Sequence, residues 1–77
     1  MVDMNKVEEY RANLGIPKSV IAKKCEVTVQ TYDNWVERPM TVSARASKSL
    51  ADALGIVDTD LLMAIFFAPN VQESLNS

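Results

Sequence analysis

Two short helical segments, residues 17–25 and 29–36, stand only about three residues apart, and that spacing constrains this chain more than any other feature. Helices of roughly eight residues joined by so short a turn do not stack as an antiparallel hairpin; the second must lie across the first at a large angle. Val20, Ile21, Ala22 and Cys25 give the first segment its apolar stripe. Pro17 suits its opening turn, where the missing N–H is not needed. Ala22 is small enough to let the two helices approach, and Val27 in the turn fills the gap between them. Thr28 is an N-cap for the second segment, with Tyr32, Trp35 and Val36 pointing inward. Arg38-Pro39 ends it, because a residue before proline is pushed out of helical geometry. Tyr32 and Trp35 read as core anchors rather than a ligand cage, which leaves Thr28, Val29, Gln30, Asp33, Asn34 and Glu37 as the outward face.

The flanking segments follow the same helical period. Met4, Val7, Tyr10 and Leu14 predict a helix over 4–14, capped by Asp3 and stopped by Gly15. Residues 40–43 form a loop. Thr41 or Ser43 then caps a helix over 44–54, whose apolar face is Ala46, Leu50, Ala53 and Leu54 and which Gly55 ends. Asp58 or Thr59 caps a fifth helix over 60–67, terminated by Pro69. The expectation is an all-α domain of five helices over 1–69 and a flexible tail over 70–77, polar apart from Val71 and Leu75.

At 77 residues and 48% hydrophobic, the chain is long and apolar enough for one small core. It has no histidine and a single cysteine, Cys25, which reads as a small buried hydrophobe. An internal disulfide, a zinc site and a haem site are thereby set aside, and no cofactor or small-molecule ligand is expected. Neither a catalytic triad nor a phosphate-cradling glycine loop is present, so the expectation is not an enzyme. Without a leader-like N-terminus or an apolar run near the roughly 20 residues of a membrane span, a reducing cytoplasm is the expected compartment. The net charge of −2 is unevenly spread. Between Lys6 and Lys48 lie eight basic residues and five acids, whereas beyond Lys48 there are four acids and no base. The first two thirds could face a polyanion, although a surplus of this size also suits a merely solvated face. Lys23-Lys24 carry the same two readings.

The ordered set Lys6-Val7-Glu8-Glu9-Tyr10-Arg11, Leu14-Gly15-Ile16, Ile21-Ala22, Val27-Thr28, Thr31-Tyr32, Trp35 and 50–56 (LADALGI) resembles the phage repressor and Cro-type helix-turn-helix family over residues 5–67. The resemblance implies a five-helix, lambda-repressor-like domain in a regulator of phage or prophage origin, acting on double-stranded DNA in the cytoplasm of a bacterial host. It implies that Val29, Gln30 and Asn34 read bases, with Asp33 on the same face able to accept from cytosine. It implies phosphate contacts from Lys18 and Thr28, and from Arg38, Thr41, Ser43 and Arg45 in the loop and start of the fourth helix. Three positions depart from the family pattern. Glu26 stands where a turn glycine is usual and must take a strained conformation or a different turn. Val36 replaces a glutamate that pairs with the helix-one arginine, leaving Glu37 as a candidate partner for Arg11. Asp33 on the presumed DNA face would repel phosphate.

The fifth helix is apolar all round, from Leu61 to Phe67. One face can cover the core; the other, including Leu62, Ile65, Phe66 and Phe67, reads either as a two-fold dimer contact or as a tightly buried helix in a monomer. A two-fold dimer would present two recognition helices one DNA turn apart, about 34 Å, on a palindromic operator. The alternative to a DNA-binding regulator is a protein-interaction module on the same fold, antirepressor-like, binding another regulator instead of DNA.

Overall fold

Five α-helices are joined by short links: α1 (Met4–Asn13), α2 (Lys18–Lys24), α3 (Val29–Glu37), α4 (Ala44–Leu54) and α5 (Thr59–Phe66), with a 3-10 turn at Pro39–Thr41. The computed structural model describes residues 1–67, and no strand occurs among them. The fold is all-α, and α2 and α3 form its helix-turn-helix. The expected stop at Pro69 and the expected tail over 70–77 lie outside the described residues.

Three of the links are the same corner. After α1, α2 and α4 the chain passes through a left-handed residue: Gly15 at φ 70°, Glu26 at φ 59° and Gly55 at φ 69°. In each case the next residue, Ile16, Val27 or Ile56, donates its N–H back to Arg11, Ala22 or Ala51, at 3.0–3.1 Å. The left-handed residue itself donates to Ala12, Lys23 or Asp52, so each corner closes with the two bonds of a Schellman motif. Each also turns an apolar residue toward the core, where Ile56 is buried and Ile16 and Val27 are half-buried. Glycine takes this backbone at little cost in two of the corners. Glu26 takes it with a side chain, which resolves the choice left by the sequence: the turn is the usual one, and glutamate bears the strain.

Hydroxyl and carboxylate caps start the helices. Asp3 accepts from the Lys6 N–H, Thr28 from Thr31, Ser43 from Ala46, and Asp58 from Asp60 and Leu61. Pro17 sits one position earlier than expected, as the N-cap of α2 in extended conformation rather than inside its first turn. In the core, Val7 of α1, Ile21 of α2, Tyr32 of α3 and Leu50 of α4 have no exposure at all. The Asp3 N–H reaches the Ile65 carbonyl at 2.7 Å and ties the N-terminus to α5.

Several expected core positions are instead outside. Leu14 is exposed beyond the last turn of α1, and Val20 is exposed on α2 while its neighbours Ile21 and Ala22 are buried. Val36 and Cys25 are only half-buried. On α4, Ala51 is buried where Ala46 and Ala53 are half-buried, so the inward stripe is rotated by part of a turn. The larger correction concerns α5. Ile65 and Phe66 are buried in the chain's own core, at 2% and 4% exposure, and are not available to a partner. Leu62 is half-buried, and Phe67 and Met63 are exposed, so less of the all-round apolar helix is left uncovered than expected.

Candidate nucleic-acid interface

The outward face of α3 follows from what its inward face must do. Tyr32 and Trp35, three residues apart, are both buried and meet edge to face with ring centroids 6.4 Å apart. Holding that side inward turns Gln30, Asn34 and Glu37 out to solvent, with Thr31 and Asp33 half-buried beside them. These five line a concavity of about 450 Å³. Val29 opens the helix and is exposed, next to the Thr28 cap. All four residues expected to read bases therefore lie on or beside one polar face.

α3 is also fixed from below by a polar network. The Tyr32 hydroxyl donates to Glu8 Oε2 of α1 at 2.7 Å. Arg11 donates its Nε to the same carboxylate and its Nη1 to the Ile16 carbonyl, the latter at 2.7 Å. The partner of Arg11 is thus Glu8, one helical turn away, and not Glu37 on α3. Burial opposes ionisation of Glu8, yet the hydrogen bonds from Arg11 and Tyr32 outweigh it and hold the carboxyl below its usual range. Burial and the bond to Glu8 push the Tyr32 hydroxyl well above its usual range, so it is a donor at any physiological pH. Burial likewise raises the Cys25 thiol above its usual range.

The residues expected at phosphates separate into two kinds. Lys18 opens α2, and its Nζ reaches across to Asp33 Oδ1 on α3 at 3.0 Å. The hydroxyls of Thr28 and Ser43 accept helix-cap hydrogen bonds, and Thr41 Oγ1 donates to the Arg38 carbonyl at 2.7 Å. Thr41 is thus spent on a local turn, and the Thr28 O–H on Thr31 Oγ1 at 3.1 Å, whereas the Ser43 hydroxyl serves only as a cap acceptor. Arg38 follows the last residue of α3 and Arg45 lies in the first turn of α4; both are exposed, and neither forms an ion pair among the described residues.

Two features went unread in the sequence. The Glu8–Arg11 pair at i, i+3 was visible as a spacing, but its third member comes from 21 positions beyond Arg11, and only the fold brings it there. The second is an apolar groove of about 710 Å³ on α4 and α5, bordered by Met1, Met40, Val42, Leu62 and Phe67, with Lys48 and Asp52 at its edge. Met40 and Phe67, 27 residues apart, are exposed at 70% and 65%. Among the described residues no three metal-ligating side chains come together, and no helix is long and apolar enough to cross a membrane. No protein-family model, curated protein or solved structure matches this chain.

Proposed function

We propose that this protein is a sequence-specific regulator of the repressor and Cro kind, which lays α3 in the major groove of duplex DNA. One observation carries the reading: a nine-residue helix, entered by a sharp four-residue corner from α2, presents a stripe of amide and carboxylate side chains outward while its other side is anchored by Tyr32 and Trp35. A helix so held fits the groove, and amides at Gln30 and Asn34 can each offer a donor and an acceptor to adenine. Lys18, Arg38 and Arg45 are the charged groups that would meet the backbone, and the capping hydroxyls of Thr28 and Ser43 are the neutral ones.

The reading includes a two-fold homodimer. Its contact is not the buried side of α5 but the α4–α5 groove, with Phe67, Leu62, Met40 and Met1 as the apolar part. Lys48 and Asp52 stand one helical turn apart at the groove's edge. A two-fold axis between them would bring each Lys48 against the Asp52 of the other copy, so the surface is complementary to itself.

The test is selection of sites from a random duplex pool at two salt concentrations. Enrichment of one palindromic motif, with retention falling steeply in salt and lost on Gln30→Ala, is the expected result. No enrichment and no retention at low salt overturns it. The two carboxylates on α3 favour the second reading, an antirepressor-like module, and in that case a stable complex with a protein partner replaces DNA retention.

A further inference from the structure

We infer that Asp33, held in place by Lys18, selects a cytosine in the major groove, and that Lys18 bridges this carboxylate to the DNA backbone. The inference rests on the DNA-binding reading above and names the chemistry its reading face prefers.

Gln30, Asp33, Asn34 and Glu37 recur at helical spacing and share one face of α3. That helix contains no lysine or arginine, so it cannot make the bidentate contact to guanine O6 and N7 that most often specifies a site. Amides donate and accept, whereas carboxylates only accept. In the major groove only two base groups donate, the amino groups of cytosine and adenine; guanine and thymine turn acceptors toward a carboxylate and repel it. Adenine sets its amino group beside the N7 acceptor, a pattern that an amide matches with both its atoms and a carboxylate does not. The amides therefore suit adenine, and the carboxylate suits cytosine. Of the two acids, Asp33 lies between Gln30 and Glu37 in the concavity and is half-buried, whereas Glu37 is the last, exposed residue of α3. It is the N-terminal part of such a helix that meets base edges, which favours Asp33.

A bare carboxylate there would be repelled by the phosphates on either side. Lys18 Nζ, 3.0 Å from Asp33 Oδ1, supplies the compensating charge. An ammonium has three donors, so one bond to Asp33 leaves two for a phosphate oxygen. The same bond holds one carboxylate oxygen and leaves Oδ2 for the base. In this way the ion pair and the phosphate contact are one device. Lys18 is a positioning residue, and Asp33 reads the base.

Both side chains are nearly half exposed, so either can be removed with the fold retained, which circular dichroism checks. The experiment is site selection from a random duplex pool with the full chain, its Asp33→Ala and Lys18→Ala variants, and the double variant. The wild-type motif should carry cytosine at one position of each half-site, preferred roughly tenfold. Asp33→Ala should lose that preference at that position alone. Lys18→Ala should weaken binding to every site, and adding Asp33→Ala should restore part of it, because the uncompensated carboxylate is then gone. A wild-type motif that Asp33→Ala leaves unchanged, or that relaxes at an A·T pair instead of a C·G pair, overturns the inference while DNA binding stands. If the wild-type chain enriches nothing, the DNA reading fails and the inference falls with it.

Discussion

The α3 face and the α4–α5 groove are both concave, yet opposite forces shape them. The first is lined by amides, a hydroxyl and carboxylates, and is held by directional bonds: Lys18 to Asp33 above, Tyr32 to Glu8 below. The second is lined by methionine, valine, leucine and phenylalanine, and is the space left where the 3-10 turn, α4 and α5 meet. Directional bonds fix where a donor or acceptor points, which is what discrimination between bases requires. Apolar packing fixes volume but not direction, and the flexible Met1 and Met40 can refill the space in several ways. On the proposed reading, the first surface would discriminate and the second would adhere.

The largest test of this contrast sits within two adjacent residues. Phe66 is 4% exposed and Phe67 is 65% exposed. Phe66→Ala should destabilise the chain by about 3–5 kcal/mol in urea titrations, whereas Phe67→Ala should change it by less than about 0.5 kcal/mol at concentrations where the chain is monomeric. Phe67→Ala should instead lower the mass seen by sedimentation at higher concentration. Equal destabilisation by both would show that the groove is core and not surface.

On the other side, Tyr32→Phe removes the hydroxyl that links α3 to α1 and should cost about 1–2 kcal/mol. The pH dependence has a definite sign. Glu8 is held below its ordinary value of 4.5 in the folded chain, so its contribution is present above that value and fades as pH falls through the folded one. The wild-type chain should therefore lose stability in acid faster than Glu8→Gln does, and denaturation followed from neutral pH downward checks it. Parallel curves would mean that the network does not brace α3.

The smallest effect is a gain. Glu26→Gly relieves a side chain from the left-handed region and should stabilise by about 0.5–1 kcal/mol, after the entropy cost of glycine is offset. Calorimetry should show a rise in Tm of a few degrees. A loss would mean that the glutamate side chain makes contacts beyond its backbone role.

Much of the fold was legible because local chemistry carried it. Asp3 and Thr28 announced helix starts, Gly15 and Gly55 announced two stops, and the α2–α3 spacing announced the crossing; Thr41 and Ser43 both offered a start for α4, and Ser43 supplies it. The outward residues of α3 were legible for a related reason, since Tyr32 and Trp35 settle which side is inward. Periodicity did not settle α5, because a helix apolar all round has no polar face to say which way it lies; Ile65 and Phe66 went inward and Phe67 outward. The partners of Tyr32 and Lys18 were illegible in the same way. The i, i+3 spacing of Glu8 and Arg11 offered one partner and Glu37 another; what no spacing shows is that Tyr32 of α3 reaches the same Glu8 carboxylate, which follows only from where α1 and α3 meet.

The repeated corner bears on how the chain folds. Each corner is closed by bonds spanning at most six consecutive residues, so the direction of each following helix is decided locally, ahead of the distant contacts among α1, α4 and α5. Chains whose course is set in this way search little and fold fast. The slowest corner to nucleate should be the one at Glu26, where the left-handed residue is not glycine. If so, the joint between α2 and α3 sets the pace of assembly, and the part of the molecule proposed to read DNA is the last to become rigid.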